Sequence, residues 1–380
     1  MVVVTLGVAG AQTAGAAAPS ASDRVAKRDP GTYICKLDGT DEVKVAGPTI
    51  TAWLPDGRTL LMANNRLYRC SADGTAKDQA WADAPEDKAN PTVQMLDLCV
   101  SSSGKFAAAL AVRRDGSAVV RVWRLNVDKN VLVSATSVLA DLLYPNAVTE
   151  KPDREGNGGR YLGAILSWSP HSDLLAWAPI EYEGLSKRSR SVKVYDAAAG
   201  RWSTWYLDKE VWSLTWHTER PSLVVTCGAA GRQRMPDDPP PTVTLVELSN
   251  GGQTKNILSR AMRDGGAGDA PMIWLPKCGI FSWGQSFYGA DGELVPPELP
   301  EGDGPVARLI RASSSGRDLL LATSHITDTG DCATDLMQGL TGADWDSFHR
   351  LLRLPVVPRQ VTCTPDGARL AFVVGGYVPD

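Results

Sequence analysis

The chain has 380 residues, 43% of them hydrophobic, with 36 glycines, 25 prolines, a net charge of −4 and a pI near 5.7. Such a composition supports one large all-β domain or two average domains, and it excludes compositional disorder along most of the length. The basic footprint of a nucleic-acid binder is missing.

The first residues read MVVVTLGVAGAQTAGAAAPSASD, apolar and then rich in small residues, with an A-x-A pattern at Ala16 to Ala18. That order fits the apolar region and cleavage site of a secretory signal, without the usual basic start; the alternative is an Ala-rich disordered tail. Thr5, Gln12 and several glycines interrupt the run, which falls short of the ~20 apolar residues of a membrane span. Residues 1–29 are therefore expected to be a signal peptide or tail, and residues 30–380 the folded domain. Export to the periplasm or the exterior is the expectation, with a cytoplasmic location left open. Seven cysteines stand singly at Cys35, Cys70, Cys99, Cys227, Cys278, Cys332 and Cys363. No CxxC pair or Cys/His cluster occurs, so neither a zinc site nor another cofactor is expected. Most lie in apolar runs, where a thiol acts as a small hydrophobe. An odd, unpaired set weakens the export reading.

From residue 30 onward the chain reads as strands. TYICKLDGTDEVKV (32–45) is the first hairpin. A recurring unit follows, an apolar strand, a tight turn and a second apolar strand: ITAWLPDGRTLLMA (50–63), LCVSSSGKFAAALAV (98–112), LSWSPHSDLLAWA (166–178), LTWHTERPSLVVT (214–226), MIWLPKCGIFSW (272–283), LIRASSSGRDLLLAT (309–323) and VTCTPDGARLAFVV (361–374). In the Pro-Asp-Gly turns, Pro presets the first corner and Gly accepts the positive φ that follows. Trp53, Trp168, Trp216 and Trp274 hold equivalent places before the turn, and packing between neighbouring sheets is their expected role. After several copies comes a second alternating pair of strands, as in RSVKVYDAAAGRWSTWYL, where Val192 and Val194 alternate with Ser191 and Lys193 at the period of a half-buried strand. The two units together make four antiparallel strands, a to d. The fifth and sixth copies are degenerate after a and b. TGADWDSFHRLLR (341–353) has helical spacing at Trp345, Phe348 and Leu352, with Thr341 and Asp344 placed to cap a helix.

The last copy stops after a and b. The missing c and d stand at the beginning: TYICKLDG matches LYRCSADG of the first full copy. The predicted fold is a single all-β propeller of about seven four-stranded blades, closed by the N-terminal strands completing the last blade, because an open array leaves sheet edges exposed. Seven blades over residues 30–380 average about 50 residues each, above the ~40–45 of common propeller repeats. The W-x-P-D-G-x-x-L turn, followed by L-Y-x-x-x-x-D-G, resembles the repeat of TolB-type and WD-repeat-like propellers. The Gly-His and Trp-Asp signatures of true WD repeats are missing, and the separate α/β domain of TolB has no counterpart in these residues. The resemblance implies a fold and no particular partner.

In such a meander the a–b and c–d turns lie at one end, and the b–c and d–a connections at the other. The long insertions 146–160, 181–190, 228–241 and 325–335 are all of the second kind and are expected on one face, where long polar loops usually carry binding. Lys187, Arg188, Arg190, Arg232 and Arg234 stand there against Glu181, Glu183, Asp237, Asp238, Asp328, Asp331 and Asp335. The arginines suit an acidic group or polar partner; solvated loop charge is the plainer explanation. The Asp328, Asp331 and Asp335 spacing matches no calcium loop. Gly284 to Tyr288 is a broken G-x-S-x-G, and Ser102-x-x-Lys105 falls on a turn, so no catalytic residues are assigned. His171 and His217 recur at turn positions, whereas His325 opens a long loop. The expected function is a non-catalytic binding or scaffold propeller. It would recognise a protein or polar ligand through Arg188, Arg190, Arg232, Arg234, His325, Asp328 and Asp331, with no metal, no nucleic acid and no membrane span. A propeller hydrolase or lyase with its site over the central channel, and a structural subunit of a larger assembly, are the alternatives.

Overall fold

A computed structural model describes most of residues 29–375; residues 1–28, 80–88, 145–159, 229–241, 257–271, 296–305, 313–317, 327–331 and 376–380, with shorter stretches between strands, lie outside that description. The signal-peptide expectation falls in the first of these. The described chain is built of antiparallel β-sheets.

In chain order, β1 (Gly31–Lys36) and β2 (Val43–Ala46) form a hairpin. Sheet B follows as β3 (Thr51–Trp53), β4 (Thr59–Ala63), β5 (Arg66–Cys70) and β6 (Lys77–Gln79). Sheet C is β7 (Thr92–Val100), β8 (Phe106–Arg113), β9 (Ala118–Asp128) and β10 (Val131–Tyr144). Sheet D contains β11 (Arg160–Trp168), β12 (Leu174–Glu183), β14 (Ser191–Asp196) and β15 (Arg201–Tyr206), with β13 (Leu185–Arg188) folded back on the end of β12. Sheet E is β16 (Glu210–Trp216), β17 (Ser222–Gly228), β18 (Thr242–Glu247) and β19 (Gln253–Asn256). Sheet F has three described strands, β20 (Met272–Leu275), β21 (Ile280–Trp283) and β22 (Ser286–Gly289). Sheet G is β23 (Val306–Ala312), β24 (Asp318–Ile326), β25 (Cys332–Leu340) and β26 (His349–Leu354). Finally β27 (Gln360–Cys363) and β28 (Arg369–Val374) join the first hairpin as sheet A, in the order β2-β1-β28-β27.

Each repeated unit of the sequence is thus an a–b hairpin, and each sheet is a meander of adjacent strands. The pairing of β1 with β28 runs from Gly31 opposite Val374 to Lys36 opposite Arg369. The likeness of TYICKLDG to LYRCSADG is a likeness of position. Both are third strands leading into a turn, with Gly39 and Gly74 at positive φ and with Asp38 and Asp73 accepting the backbone N–H of Thr40 and Thr75.

The core lies between sheets, because inner strands such as β8 and β28 are apolar on both faces. Leu60, Met62 and Leu67 of B meet Leu98, Ala109 and Trp123 of C. Val120 and Val122 of C meet Leu175 and Trp177 of D. Val192 and Val194 of D meet Leu214 and Val225 of E, and Leu320 and Leu336 of G meet Tyr33 and Phe372 of A. Two of the turn tryptophans belong to these seams: Trp168 packs on the C–D cluster, and buried Trp216 donates from Nε1 to the Ser167 carbonyl of the neighbouring sheet at 2.8 Å. Cys35, Cys70 and Cys227 are buried thiols, as their apolar settings imply.

Three expectations are corrected. The helix over 341–353 is only a single 3₁₀ turn, Trp345–Ser347, followed by strand β26. Its helical spacing instead serves packing: Phe348 is buried with Leu319 and Leu321, and Gly339 opposite lacks the Cβ that would strike the Phe348 ring. The sixth repeat is therefore a complete four-stranded sheet and not a degenerate one. Two of the expected long loops are largely strand: 181–190 is the β12–β13 ribbon, and 325–335 is mostly the ends of β24 and β25. Asp335, read as a loop charge, is buried at 8% exposure opposite Thr323 and accepts Arg353 Nε and Nη2 at 2.7 and 2.9 Å.

Candidate binding cleft on the short-turn end

The a–b turns of sheets B, C and D lie side by side. In B, Leu54 N–H donates to the Arg58 carbonyl at 2.7 Å and Gly57 N–H to the Leu54 carbonyl at 3.0 Å. Gly57 takes φ +81°, the left-handed position that follows a Pro-Asp corner. Sheet C repeats this with Gly104, whose missing side chain lets the turn sit against Pro55; a Cβ there would stand 3.1 Å from the proline ring.

Polar side chains then tie turn to turn. Arg58 donates from Nε to Asp56 Oδ2 at 2.8 Å and pairs with the same carboxylate through Nη2, while Nη1 reaches the Asn130 carbonyl in the β9–β10 turn at 2.9 Å. Ser103 Oγ donates to Asp173 Oδ1 at 2.6 Å, joining C to D. Buried Arg69 donates to Asp78 through Nε at 3.0 Å. The Arg124 guanidinium lies over the Phe106 ring, 5.6 Å from its centroid. Partial burial pushes the Asp56 carboxyl up, but the Arg58 side chain and backbone N–H outweigh it and hold the group below its ordinary value.

These elements enclose a cleft of about 720 Å³ that runs from the B turn across the end of C to the D turn. Leu54, Phe106 and Leu132 supply apolar lining, and Lys105, Arg124 and Asp173 supply charge. The size falls within the ~300–1,000 Å³ of small-ligand pockets. Among the described residues no three His, Cys, Asp or Glu side chains gather as a metal site.

None of the residues singled out in the sequence is among those lining the cleft. Arg188 ends β13 opposite Ile180, and His325 lies in β24 opposite Ala333; their side chains are outside the description. Arg190 is exposed, with its carbonyl accepting Leu207 N–H at 2.7 Å. Arg232, Arg234, Asp328 and Asp331 lie outside the described residues. None of the seven is brought to another by a described contact. The cleft was missed because loop length, the visible cue, pointed to the opposite end. The available signal was the charge set into the short turns, Arg58 and Lys105, at the same place in successive repeats.

No family model matches the sequence, and no curated protein matches it. Among solved structures, the chain is similar to one from the crystal structure of a mitotic checkpoint complex, at 14% identity and a TM-score of 0.46, covering 86% of this chain and 90% of that one. It is also similar to a putative TolB from Agrobacterium tumefaciens, at 12% identity and a TM-score of 0.41, covering 91% and 98%. The all-β, antiparallel architecture rests on the sheets described above and not on these likenesses.

Proposed function

We propose that the chain is one propeller of seven blades, closed by β1 and β2, and that it works as a binding scaffold for a protein or polar ligand. Support for the ring comes from the first strands, which neighbour one another in the order β27, β3, β7, β11, β16, β20, with β23 beside β27. At the seam the Gln360 side chain accepts Thr51 N–H at 3.0 Å and donates to the Thr51 carbonyl at 2.9 Å, so it stands in for a strand across a sequence separation of 309 residues.

The observation that carries the binding reading is the short-turn cleft. Its polar groups are preset by hydrogen bonds between sheets, beside apolar surface, and a preset site loses little entropy on binding. The arginine-bearing face at the other end, with Arg188, Arg190, Arg232, Arg234, His325, Asp328 and Asp331, is a second candidate surface; the exposed Arg190 on a fixed backbone favours it.

Site-specific photocrosslinking separates the two. A photoreactive residue is placed at Val127 in the cleft or at Arg190 on the other end, and the products from native extract are identified by mass. One discrete product from the Val127 position alone is expected. A product from Arg190 alone moves the site to the other face, and none from either position overturns the scaffold reading.

A further inference from the structure

Two of the cleft's cations are in no ion pair among the described residues. Arg58 is taken up by Asp56 and the Asn130 carbonyl, and Arg69 by Asp78. Lys105 and Arg124 are exposed and make no ion pair among the described residues. The nearby carboxylate, Asp173, accepts the Ser103 hydroxyl at 2.6 Å. The two cations sit on neighbouring backbone of one strand pair: Arg124 stands opposite Phe106 on the face toward sheet D, and the Lys105 carbonyl accepts the N–H of Leu125, which faces sheet B, at 2.8 Å; the cleft reaches both across the end of sheet C. The ring of Phe106 under the Arg124 guanidinium holds its planar fork ready.

Beside the cations is an apolar wall. Leu54 and Leu132 are buried at the back of the cleft, while Val127, 51% exposed, stands at its rim near the tip of the long β9–β10 hairpin. Val131 and Val133 continue the exposed apolar tip at 48% and 58%. A turn at an exposed end would ordinarily carry polar residues, so a hairpin tip with three solvent-facing valines, of which Val127 lines the cleft, marks a surface made to be covered.

We propose that the cleft takes an acidic peptide segment with an aliphatic side chain next to its carboxylate. Lys105 and Arg124 pair with acidic side chains of the segment on the two sides of the end of sheet C, and Leu54, Val127 and Leu132 receive the aliphatic group. This identification rests on the scaffold reading above. A carboxylate that loses water against the apolar wall gains more from a charge-assisted, two-pronged arginine contact than it would in open solvent. A basic segment would meet like charge, and a neutral one would leave both cations without a partner.

The test uses three fluorescein-labelled peptides, Leu-Glu-Leu-Glu-Leu and its Gln and Lys counterparts, titrated with the full chain by anisotropy. The Glu peptide is expected to bind at least tenfold more tightly than the Gln peptide and to weaken as salt rises. Lys105→Met with Arg124→Met should lose that preference, and Lys105→Glu with Arg124→Glu should transfer it to the Lys peptide. Both pairs are exposed positions, and unchanged thermal unfolding checks that the fold survives. Equal binding of the Glu and Gln peptides, each weakened by Val127→Asp, overturns the acidic class and leaves the scaffold reading standing. No binding of any peptide overturns the inference, and the scaffold reading falls with it only if neither the Val127 nor the Arg190 position crosslinks.

Discussion

Single side chains hold the turns and buried pairs of this fold. Arg353 is the bidentate partner of Asp335, a carboxylate that only the tertiary fold buries. Arg353→Met should cost about 2 kcal/mol in urea unfolding, the scale of hydrogen bonds to a charged group, and restoring the charge as Lys should recover only part. Two glycines separate backbone strain from crowding. Gly57 has open space where a Cβ would go, whereas a Cβ on Gly74 would lie 2.6 Å from Val45 Cγ1 of sheet A, and both have positive φ. Gly57→Ala should therefore cost about 1 kcal/mol from φ alone, and Gly74→Ala clearly more by the same measurement. Asp73 has a pKa of about 2, below the ordinary 3.8, held there by the Ser71 hydroxyl and then by the backbone N–H and hydroxyl of Thr75. Because the folded value is the lower one, the contribution of this turn is complete above about pH 4 and is lost as pH falls toward the folded value. Asp73→Ala should flatten the fall of the urea midpoint over that acid range and leave its dependence at neutral pH unchanged.

At the scale of elements, the a–b hairpins were legible because each has a short apolar run on either side of its turn, and three turns add a second, independent mark, a glycine at positive φ: Gly57, Gly104 and Gly367. The strand β26 was not legible. Its residues repeat at helical spacing, but Phe348 is turned inward by packing against a neighbouring strand and not by a helix. The ribbon β12–β13 was hidden for a related reason: pairing continues beyond the end of the four-stranded meander, and a polar run such as EYEGLSKRSR looks like a loop in sequence. The seam between β27 and β3 gives an element-scale prediction. Gln360→Met keeps the volume but leaves the buried Thr51 backbone without its partner. It should cost about 1–3 kcal/mol and raise hydrogen exchange first in β3 and β27.

The whole molecule is where closure is decided. Under the proposed ring, deleting residues 31–46 removes half of sheet A and opens an edge in both directions. The truncated chain should lose cooperative unfolding, not merely fray at one end. Moving the same residues behind Val374 through a short linker should preserve the far-ultraviolet spectrum and the melting midpoint, because β1 already pairs with β28 as a hairpin partner. A deletion that melts at the original temperature would falsify closure. The repeat, the all-β class and the pairing of residues 32–45 with the final copy were determined by the sequence alone, since period-two alternation and turn chemistry are local properties that every copy restates. Which turns touch was decided only by tertiary structure. Lys105, Arg124 and Val127 meet the sheet B and D turns in one cleft because sheets pack face to face at a set spacing, and that spacing is written in no one repeat. The short turns, unremarkable in the linear chain, become the walls of the cleft.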